Sequence, residues 1–438
     1  PPPISTRQQP TAALSPFNTS AAARRGAPPL KGMVFSMSTG TSAAEPTASS
    51  RKYWATAGLL YISYFVLGFS LFAQGQFKPA LSEQWGTDVK GVTAAIGWMM
   101  VGRLVAYPFA GPIADRVSRR LGAVIGALLL VASFAGIIMV GSPTLGTVMC
   151  VVAGLGNGFL DPAVYPALSE IFPKRAHIAN LFLKFAILVA QFLLPLIMSA
   201  TGDGTAAATG GYRAIYIGFG VLAVLTVVGM AFAPFPPNES KAAAQQGGSA
   251  FSFNATLVML MVLGITTLTT FTLWGNTNQE LGKAYGMENP AITQSYYAVG
   301  AMLAILASTA LLTRVRATQI IIVYPIISTA ALLAVVFIQQ DWIVPWVGFV
   351  IGWTGAGGIL QLVTSTGNSL FPRSRGLVTS LIMISSAVGV FLIMQVASNW
   401  VTSNPTNVLL LNAAVTAFGA VLAVFVDRAE KARLANTE

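Results

Sequence analysis

Residues 111–120 read Gly-Pro-Ile-Ala-Asp-Arg-Val-Ser-Arg-Arg and stand between two long apolar runs, Val92–Ile113 and Leu121–Val140. As a helix, a run of about 20 apolar residues crosses the ~30 Å hydrocarbon core of a bilayer. Arginine is costly inside that core, so the arginines of this stretch belong at the membrane surface. The stretch therefore predicts a short turn between two membrane-spanning helices.

Similar apolar runs recur along the chain, and we predict an all-α membrane protein with twelve spans. The other ten are Trp54–Ala73, Leu145–Ile171, Ile178–Ser199, Tyr212–Ala233, Phe251–Asn276, Thr293–Leu312, Ala317–Ile338, Val344–Leu370, Gly376–Ser398 and Val408–Val426. Only 9% of the residues are charged and 54% are hydrophobic, whereas a soluble domain carries about a quarter charged residues. We therefore expect the lipid bilayer to be the main solvent of this protein.

The distribution of Lys and Arg predicts the orientation of the spans. With an even number of spans both termini share one side, and most basic residues outside the spans fall there; Lys78, Lys90, Arg213 and Lys283 fall opposite. Because short loops rich in Lys and Arg stay in the cytoplasm, we expect both termini there. This bias also explains the net charge of +11 without a nucleic acid partner, since no basic patch interleaved with aromatics occurs after residue 52.

The first 50 residues differ in composition from the rest of the chain. They are rich in Ala, Ser, Thr and Pro, with no acidic residue before Glu45, so we expect a disordered tail. An organellar transit peptide, and hence an organellar membrane, is one alternative. Non-native sequence upstream of a start at Met33 or Met37 is another.

The remaining chain is predicted to form two six-helix bundles, 51–233 and 251–427, with a C-terminal tail at 428–438. The polar residues 234–250 contain several Pro and Gly residues and predict a cytoplasmic linker. A short repeat supports this division, because Phe172-Pro173-Lys174-Arg175 ends the fourth span and Phe371-Pro372-Arg373-Ser374-Arg375 ends the tenth. Two six-helix halves related by a parallel repeat are a common transporter architecture.

The stretch at residues 111–120 resembles the signature of the major facilitator superfamily, in its D-R-x-G-R-R form. Ser118 stands where the family usually has glycine. The resemblance implies two six-helix bundles that act as a monomeric secondary transporter by alternating access. It also implies a latch that holds the outward-open state, formed by Gly111, Asp115, Arg116, Arg119, Arg120 and Glu170.

The chemistry of these residue types suits such a latch. Gly111 would let two helices approach closely. Asp115 would favour the positive end of a neighbouring helix, such as the eleventh span near Gly376. The arginines would pair with Glu170 at the end of the fourth span. The alternative is a solvated basic loop that only fixes the topology.

Other stretches resemble a poorly characterised branch of bacterial inner-membrane transporters near the aromatic-acid/proton symporters. They are Gly102-Arg103-Leu104, Leu160-Asp161, Tyr165-Pro166-Ala167-Leu168 and Gly357-Gly358-Ile359-Leu360-Gln361-Leu362. The resemblance implies a multi-pass protein of the cell membrane.

Arg103, Asp161 and Lys184 interrupt otherwise apolar spans at similar depths. Each lies roughly 12–18 Å from the end of its helix on the side of the termini, which is near the midplane where transporters of this architecture bind substrate. Polar residues at helical spacing predict stripes that face the same cavity: Asn157 and Tyr165 beside Asp161, Gln191 beside Lys184, and Gln361 on the tenth span. Ionisable groups in a membrane face water or one another, because exposure to hydrocarbon is expensive.

Two interpretations of these charges remain open. Asp161 could simply neutralise Arg103 or Lys184 and hold the first bundle together. Alternatively, Asp161 carries a proton and one of the cations binds an anionic substrate, with the unmatched positive charge favouring a carboxylate. The first hypothesis for function is therefore proton-coupled transport of a small organic anion. The alternatives are a drug or metabolite exporter working by proton antiport and, more remotely, a transport-dead sensor.

Several functions lack the residues they would need. Cys150 and His177 are single residues of their type, so we expect no metal site and no cofactor. No phosphate-binding loop occurs in the sequence, and no nucleophile–base pair suggests an enzyme. Glu280 and Glu288, on either side of Lys283, are expected in a solvated loop after the seventh span.

Overall fold

The computed structural model describes residues 52–173, 176–200, 211–236, 253–312, 314–371 and 375–435. The predicted N-terminal tail, most of the predicted linker, residues 372–374, and Lys174 and Arg175 of the repeated stretches lie outside these ranges. The helices are α1 (Trp54–Gln76), α2 (Lys78–Trp85), α3 (Val89–Pro112), α4 (Arg119–Met139), α5 (Pro143–Ile171), α6 (Ala176–Ala200), α7 (Gly211–Phe232), α8 (Ala255–Ala284), α9 (Ile292–Leu311), α10 (Ala317–Ile338), α11 (Ile343–Ile351), α12 (Ile359–Leu370), α13 (Arg375–Ser398) and α14 (Pro405–Ala435).

The described ranges contain 11 helical stretches long and apolar enough to cross a membrane. They correspond to every predicted span except the eighth, which is α9 and whose apolar part, Ile292–Ser308, is shorter. The predicted all-α fold is confirmed. We call the end at which α1 begins and α14 ends the termini side, and the other end the opposite side; which of them faces the cytoplasm stays a prediction.

Helix packing repeats between the first half (α1–α7) and the second half (α8–α14). In the first half α3 packs on α5, α4 on α7, and α1 on α6, while in the second half α9 packs on α11, α10 on α14, and α8 on α13. The halves meet where α3 contacts α13 and where α6 contacts α9. These two contacts are equivalent under the repeat, as a parallel duplication requires.

Glycines bring α3 and α5 into backbone contact. A Cβ on Gly102 would lie 2.1 Å from the carbonyl oxygen of Val151, and one on Gly154 would lie 1.9 Å from that of Met99. Gly111 does not act in this way, because a Cβ there would meet nothing within 4 Å. In this conformation Gly111 is therefore not at a close helix contact, and its place in the latch of the outward-open state stays a prediction.

The tenth predicted span is broken near its middle. Helix α11 runs into a single π turn, Gly352–Ala356, and α12 begins only after Gly358. Gly358 has φ of 110°, a conformation that residues with a Cβ rarely adopt. The stretch Ile343–Gly367 is long and apolar enough to cross a membrane, as the span Val344–Leu370 predicts. The break inside it was not predicted, because periodicity and hydropathy do not register a backbone break.

Several predicted helix ends also differ from the structure. A π turn, Ile113–Val117, follows α3, and α2 occupies a stretch expected to be a loop. Helix α14 continues past the predicted end at Val426. Helix α8 continues to Ala284, so that Glu280 lies in a helix and is buried rather than solvated.

Candidate functional site

A cavity of about 490 Å³ lies between the two halves at mid-depth. Helices α1, α3, α5 and α6 of the first half and α8, α12 and α13 of the second half supply its wall. The lining residues with polar or aromatic side chains are Tyr64, Phe72, Arg103, Tyr107, Asn157, Asp161, Tyr165, Lys184, Phe271, Thr272, Asn276, Gln361, Thr379 and Ser380. The remaining lining residues are mostly aliphatic.

The cavity opens toward the termini side. Gly111, in the last turn of α3, and Thr379 and Ser380, near the start of α13, belong to its wall. Ser380 and Gln361 line the cavity and are nevertheless exposed. A solute from the termini side can therefore reach the centre of the molecule.

Polar contacts between the halves close the opposite side. Lys78 Nζ lies 2.7 Å from Glu280 Oε2, and Gln279 Nε2 donates to Gln76 Oε1 at 2.6 Å. Gln395 Nε2 also donates to the carbonyl oxygen of Ala94 at 2.9 Å. These residues lie in α2 and at the ends of α1, α3, α8 and α13 that are remote from the termini, so the structure is closed on the opposite side.

Arg103 and Asp161 form an ion pair in the cavity wall, with Nη2 of Arg103 3.3 Å from Oδ2 of Asp161. Local packing places them together, since a Cβ on Gly158 would lie 3.1 Å from the carbonyl oxygen of Arg103. Both side chains remain partly accessible, at 16% and 24%. Arg103 and Asp161 thus face each other and remain partly open to the cavity, as the cost of charge in hydrocarbon predicts.

Tyrosine side chains surround this pair. Tyr64 donates its hydroxyl to Oδ1 of Asp161 at 2.7 Å, and Arg103 Nη2 donates to the hydroxyl of Tyr107 at 2.9 Å. The ring of Tyr165 meets that of Tyr64 edge to face, at 5.7 Å between centroids. Aromatic side chains therefore hold the pair in place.

Lys184 of α6 and Gln361 of α12 meet across the same cavity. In the amide orientation that satisfies both polar atoms of Gln361, its oxygen accepts from Lys184 Nζ at 3.1 Å and its nitrogen donates to the carbonyl oxygen of Gly358 at 3.2 Å. The broken backbone before α12 thus positions the partner of Lys184. Asn157 lines the cavity as well and is almost fully buried.

The Major Facilitator Superfamily model matches residues 60–394 of the sequence. The chain belongs to this superfamily. Its members are membrane transporters rather than enzymes, so the predicted secondary transport and multi-pass membrane location are confirmed.

Individual members agree with this assignment. The chain is 27% identical to the inner membrane transport protein YdiM of Escherichia coli (strain K12), over 85% of this chain and 94% of that protein. It is 30% identical to the 4-hydroxybenzoate transporter PcaK of Pseudomonas putida over 130 residues, which are 29% of this chain and 28% of the relative. The inward open conformation of the E. coli xylose transporter XylE matches its fold with a TM-score of 0.71 at 12% identity, covering 85% of this chain and 95% of the other.

The superfamily signature forms contacts within the first half. Arg119 pairs with Glu170, and both side chains are largely buried. Arg120 instead donates from its Nη2 to the carbonyl oxygen of Ala233, just after α7, at 2.7 Å. Arg116 is exposed. We expected all three arginines to pair with Glu170, but the described structure shows this pair only for Arg119.

Two further positions of the signature are Asp115 and Ser118. The side chain of Asp115 lies outside the described part of the structure. Ser118, in the place of the usual glycine, immediately precedes α4, and its Oγ accepts from the backbone N–H of Leu121 at 3.5 Å. A serine is a favourable residue at such a helix start.

Gln191 lies apart from the cavity, although it shares a helix face with Lys184. Gln294 Nε2 of α9 donates to Gln191 Oε1 at 3.4 Å, so Gln191 contributes to the contact between the halves.

Tyr107 lines the cavity but was not predicted from the sequence. Its spacing of four residues from Arg103 on one helix is the signal that could have found it.

Proposed function

We propose that this transporter moves a small organic carboxylate together with protons. The charge balance of the cavity supports the proposal. Among the described lining residues, Arg103 and Lys184 are cations and Asp161 is the carboxylate. Asp161 pairs with Arg103, which leaves Lys184 with the neutral amide of Gln361. A charge at this depth is costly, and a bound carboxylate would neutralise it.

The shape of the cavity favours a small and partly aromatic solute. Its volume of about 490 Å³ falls within the range of roughly 300–1,000 Å³ found for small-molecule sites. Tyr64, Tyr107 and Phe271 present rings to it, and aromatic pairs prefer edge-to-face or offset contacts. Together with the printed substrate of the PcaK relative, these rings make aromatic carboxylates the first class to test.

The two halves would alternate access by rocking about this cavity. If the termini lie in the cytoplasm, as the positive-inside rule predicts, the structure is the inward-facing state.

The relative YdiM is named an inner membrane protein, and we place this chain in the cytoplasmic membrane of a bacterium. Export of cationic drugs fits less well, because the cavity carries excess positive charge.

Ligands matched in shape but not in charge test the proposal. Purified protein is heated with 4-hydroxybenzoate, with neutral 4-hydroxybenzamide and with cationic 4-hydroxybenzylamine. A ligand that binds only the folded state raises Tm with its concentration, and we expect this of the carboxylate alone. Equal stabilisation by the amide or the amine would contradict the proposal.

A variant locates the binding site. Lys184→Gln should weaken carboxylate binding at least about tenfold, or 1.4 kcal/mol, because it removes the unmatched cation. Lys283→Gln is the matched control, since Lys283 is exposed near the opposite side and should bind as the wild type does. Equal affinity of Lys184→Gln and the control would place the anion elsewhere.

A further inference from the structure

We infer that the second half binds one small monovalent cation, Na⁺, next to the break in the tenth span. The inference goes beyond the proposed function and does not depend on it. It starts from a second cavity, of about 10 Å³, which lies between α8, α10, the π turn, α12 and α14. A cavity of roughly 10–15 Å³ holds one particle the size of a water molecule, so this one has room for a single ion.

Side-chain hydroxyl groups from four elements of the second half line this hydroxyl cavity. They belong to Thr266, Thr267 and Thr270 of α8, Ser328 of α10, Thr354 of the π turn and Thr416 of α14. All six residues are at most 5% exposed, and none of the described lining residues is charged. The polar part of the wall therefore consists of neutral oxygen groups.

Several of these hydroxyl groups donate their hydrogen to a carbonyl of their own helix. Thr266 Oγ1 donates to Leu263 O at 3.0 Å, and Thr270 Oγ1 donates to Thr266 O at 2.8 Å. Thr354 Oγ1 likewise donates to Val350 O at 2.7 Å. A hydroxyl group has one hydrogen and two lone pairs. Once the hydrogen is used within the helix, the group offers lone pairs to its neighbours, which suits a cation.

Contacts between elements bring these oxygens together. The hydroxyl oxygens of Thr270 and Thr416 lie 2.8 Å apart and join α8 to α14. Those of Ser328 and Thr354 lie 2.6 Å apart and join α10 to the π turn. Ligands from separate elements therefore meet around one small space.

Thr267 provides an independent observation that points to a ligand. Its side chain is buried, and its Oγ1 has no hydrogen-bond partner in the described structure. A buried hydroxyl group without a partner is costly. Because Thr267 lines the hydroxyl cavity, a cation bound there would coordinate this oxygen.

The break in the tenth span adds partial negative charge to the same wall. The helix that starts with α11 ends at Ala356, and Thr354 and Gly355 of its last turn line the hydroxyl cavity. The last carbonyl groups of a helix lack donors within the helix and carry partial negative charge. Unwound carbonyls of interrupted transporter helices coordinate Na⁺, because oxygen dipoles replace the hydration shell of an ion.

The start of α12 connects the hydroxyl cavity to the central one. Ile359 lines the hydroxyl cavity, whereas Leu360 and Gln361 line the central cavity. An ion held by the π turn, α8, α10 and α14 would stabilise the break at Gly358. It would thereby stabilise the arrangement in which Gln361 accepts from Lys184.

Binding of Na⁺ alone to the purified protein is the direct test. Retention of radioactive sodium is measured, and Tm is followed as NaCl replaces choline chloride at constant ionic strength. We expect about one Na⁺ per chain, and a rise in Tm of roughly 2 °C for each tenfold increase in Na⁺ above its Kd. Failure to retain sodium would mean that the cavity takes water only and would overturn the inference. Equal stabilisation by the larger K⁺ would overturn the assignment to Na⁺.

Two threonine variants of α8 locate the site. Thr267→Val removes the unpaired hydroxyl group from the hydroxyl cavity. Thr269→Val is the matched control, because Thr269 is 1% exposed and its Oγ1 also lacks a partner in the described residues, but it does not line this cavity. Each valine keeps the shape of the side chain and removes a costly buried group, so neither variant should melt below the wild type in choline chloride.

The response to Na⁺ should separate the two variants. Thr267→Val should lose sodium binding and the rise in Tm, whereas Thr269→Val should keep both. Ser328→Ala removes another hydroxyl group of the wall and should weaken sodium binding at least about tenfold. Wild-type sodium affinity in either Thr267→Val or Ser328→Ala would overturn the site, as would loss of sodium binding in Thr269→Val.

Discussion

Lys78 and Glu280 form a buried ion pair across the boundary between the two halves, with Nζ and Oε2 2.7 Å apart. Lys78 is fully buried and Glu280 is 9% exposed. Burial lowers the pKa of the Lys78 ammonium, and the neighbouring Glu280 carboxylate opposes this shift. Opening the opposite side of the cavity would therefore separate two largely buried charges.

Removing one member of this pair should favour opening on the opposite side. Breaking a buried pair costs about 3–5 kcal/mol in the state that buries it, so Glu280→Gln destabilises the closed state. Ile96 lines the cavity, and Ile96→Cys in a Cys150→Ser background reports access. Labelling by a membrane-impermeant thiol reagent from the opposite side should become at least about tenfold faster, the factor for 1.4 kcal/mol.

Glu288→Gln is the control for this experiment, because Glu288 is an exposed carboxylate in the same region. It should label at the wild-type rate. Exchanging the two charges by Lys78→Glu with Glu280→Lys should restore part of the closed population. A wild-type labelling rate in Glu280→Gln would show that the pair does not hold this side closed.

The arginines of the signature should differ in their effect on stability. Arg119→Gln removes one partner of the buried pair with Glu170, and the melting temperature of the purified protein should fall clearly. Arg116→Gln changes an exposed arginine in the same motif, and surface charges contribute little. Equal melting temperatures for the two variants would contradict the assignment.

The break before α12 should depend on Gly358. At a φ of 110°, alanine would strain the backbone by about 1–3 kcal/mol, so Gly358→Ala should lower the melting temperature and displace Gln361. Gly218→Ala is the control, because a Cβ in that helix meets nothing within 4 Å. Alanine at Gly218 should be neutral or slightly stabilising, and an equally stable Gly358→Ala variant would refute the strain argument.

We expect the space around Gly111 to differ between the present conformation and the one in which the termini side is closed. Here a side chain at this position has room, so Gly111→Leu should keep the wild-type melting temperature. If the proposed latch brings this end of α3 onto α13 when the termini side closes, leucine should block closure and reduce transport at least about tenfold. Asp115→Asn should reduce transport in the same way, and wild-type flux in both variants would remove the latch from the mechanism.

Much of the architecture could be predicted because apolar length and helical spacing report directly on membrane spans. The same spacing placed Arg103, Asp161 and Lys184 at one depth, and the structure brings all three to one cavity. Depth along a helix needs only the rise per residue, so no knowledge of helix packing was required.

The remaining features depend on contacts that local sequence does not encode. Glu280 resembles a solvated loop residue until Lys78, 202 residues away, is placed beside it. Gln191 shares a face with Lys184, but the approach of α9 turns it into a contact between the halves. The break at Gly358 was not predicted from the sequence, because a glycine-rich apolar stretch has the same hydropathy whether its helix is continuous or interrupted.

Uptake by protein reconstituted into liposomes tests the coupling most directly. Radiolabelled 4-hydroxybenzoate is offered under an imposed proton gradient, and exchange of labelled for unlabelled anion is measured in parallel without a gradient. Wild-type protein should accumulate the anion, whereas Asp161→Asn should exchange it but fail to accumulate it, because exchange needs the anion site and accumulation needs the proton. Gradient-driven accumulation by Asp161→Asn at the wild-type level would contradict the account.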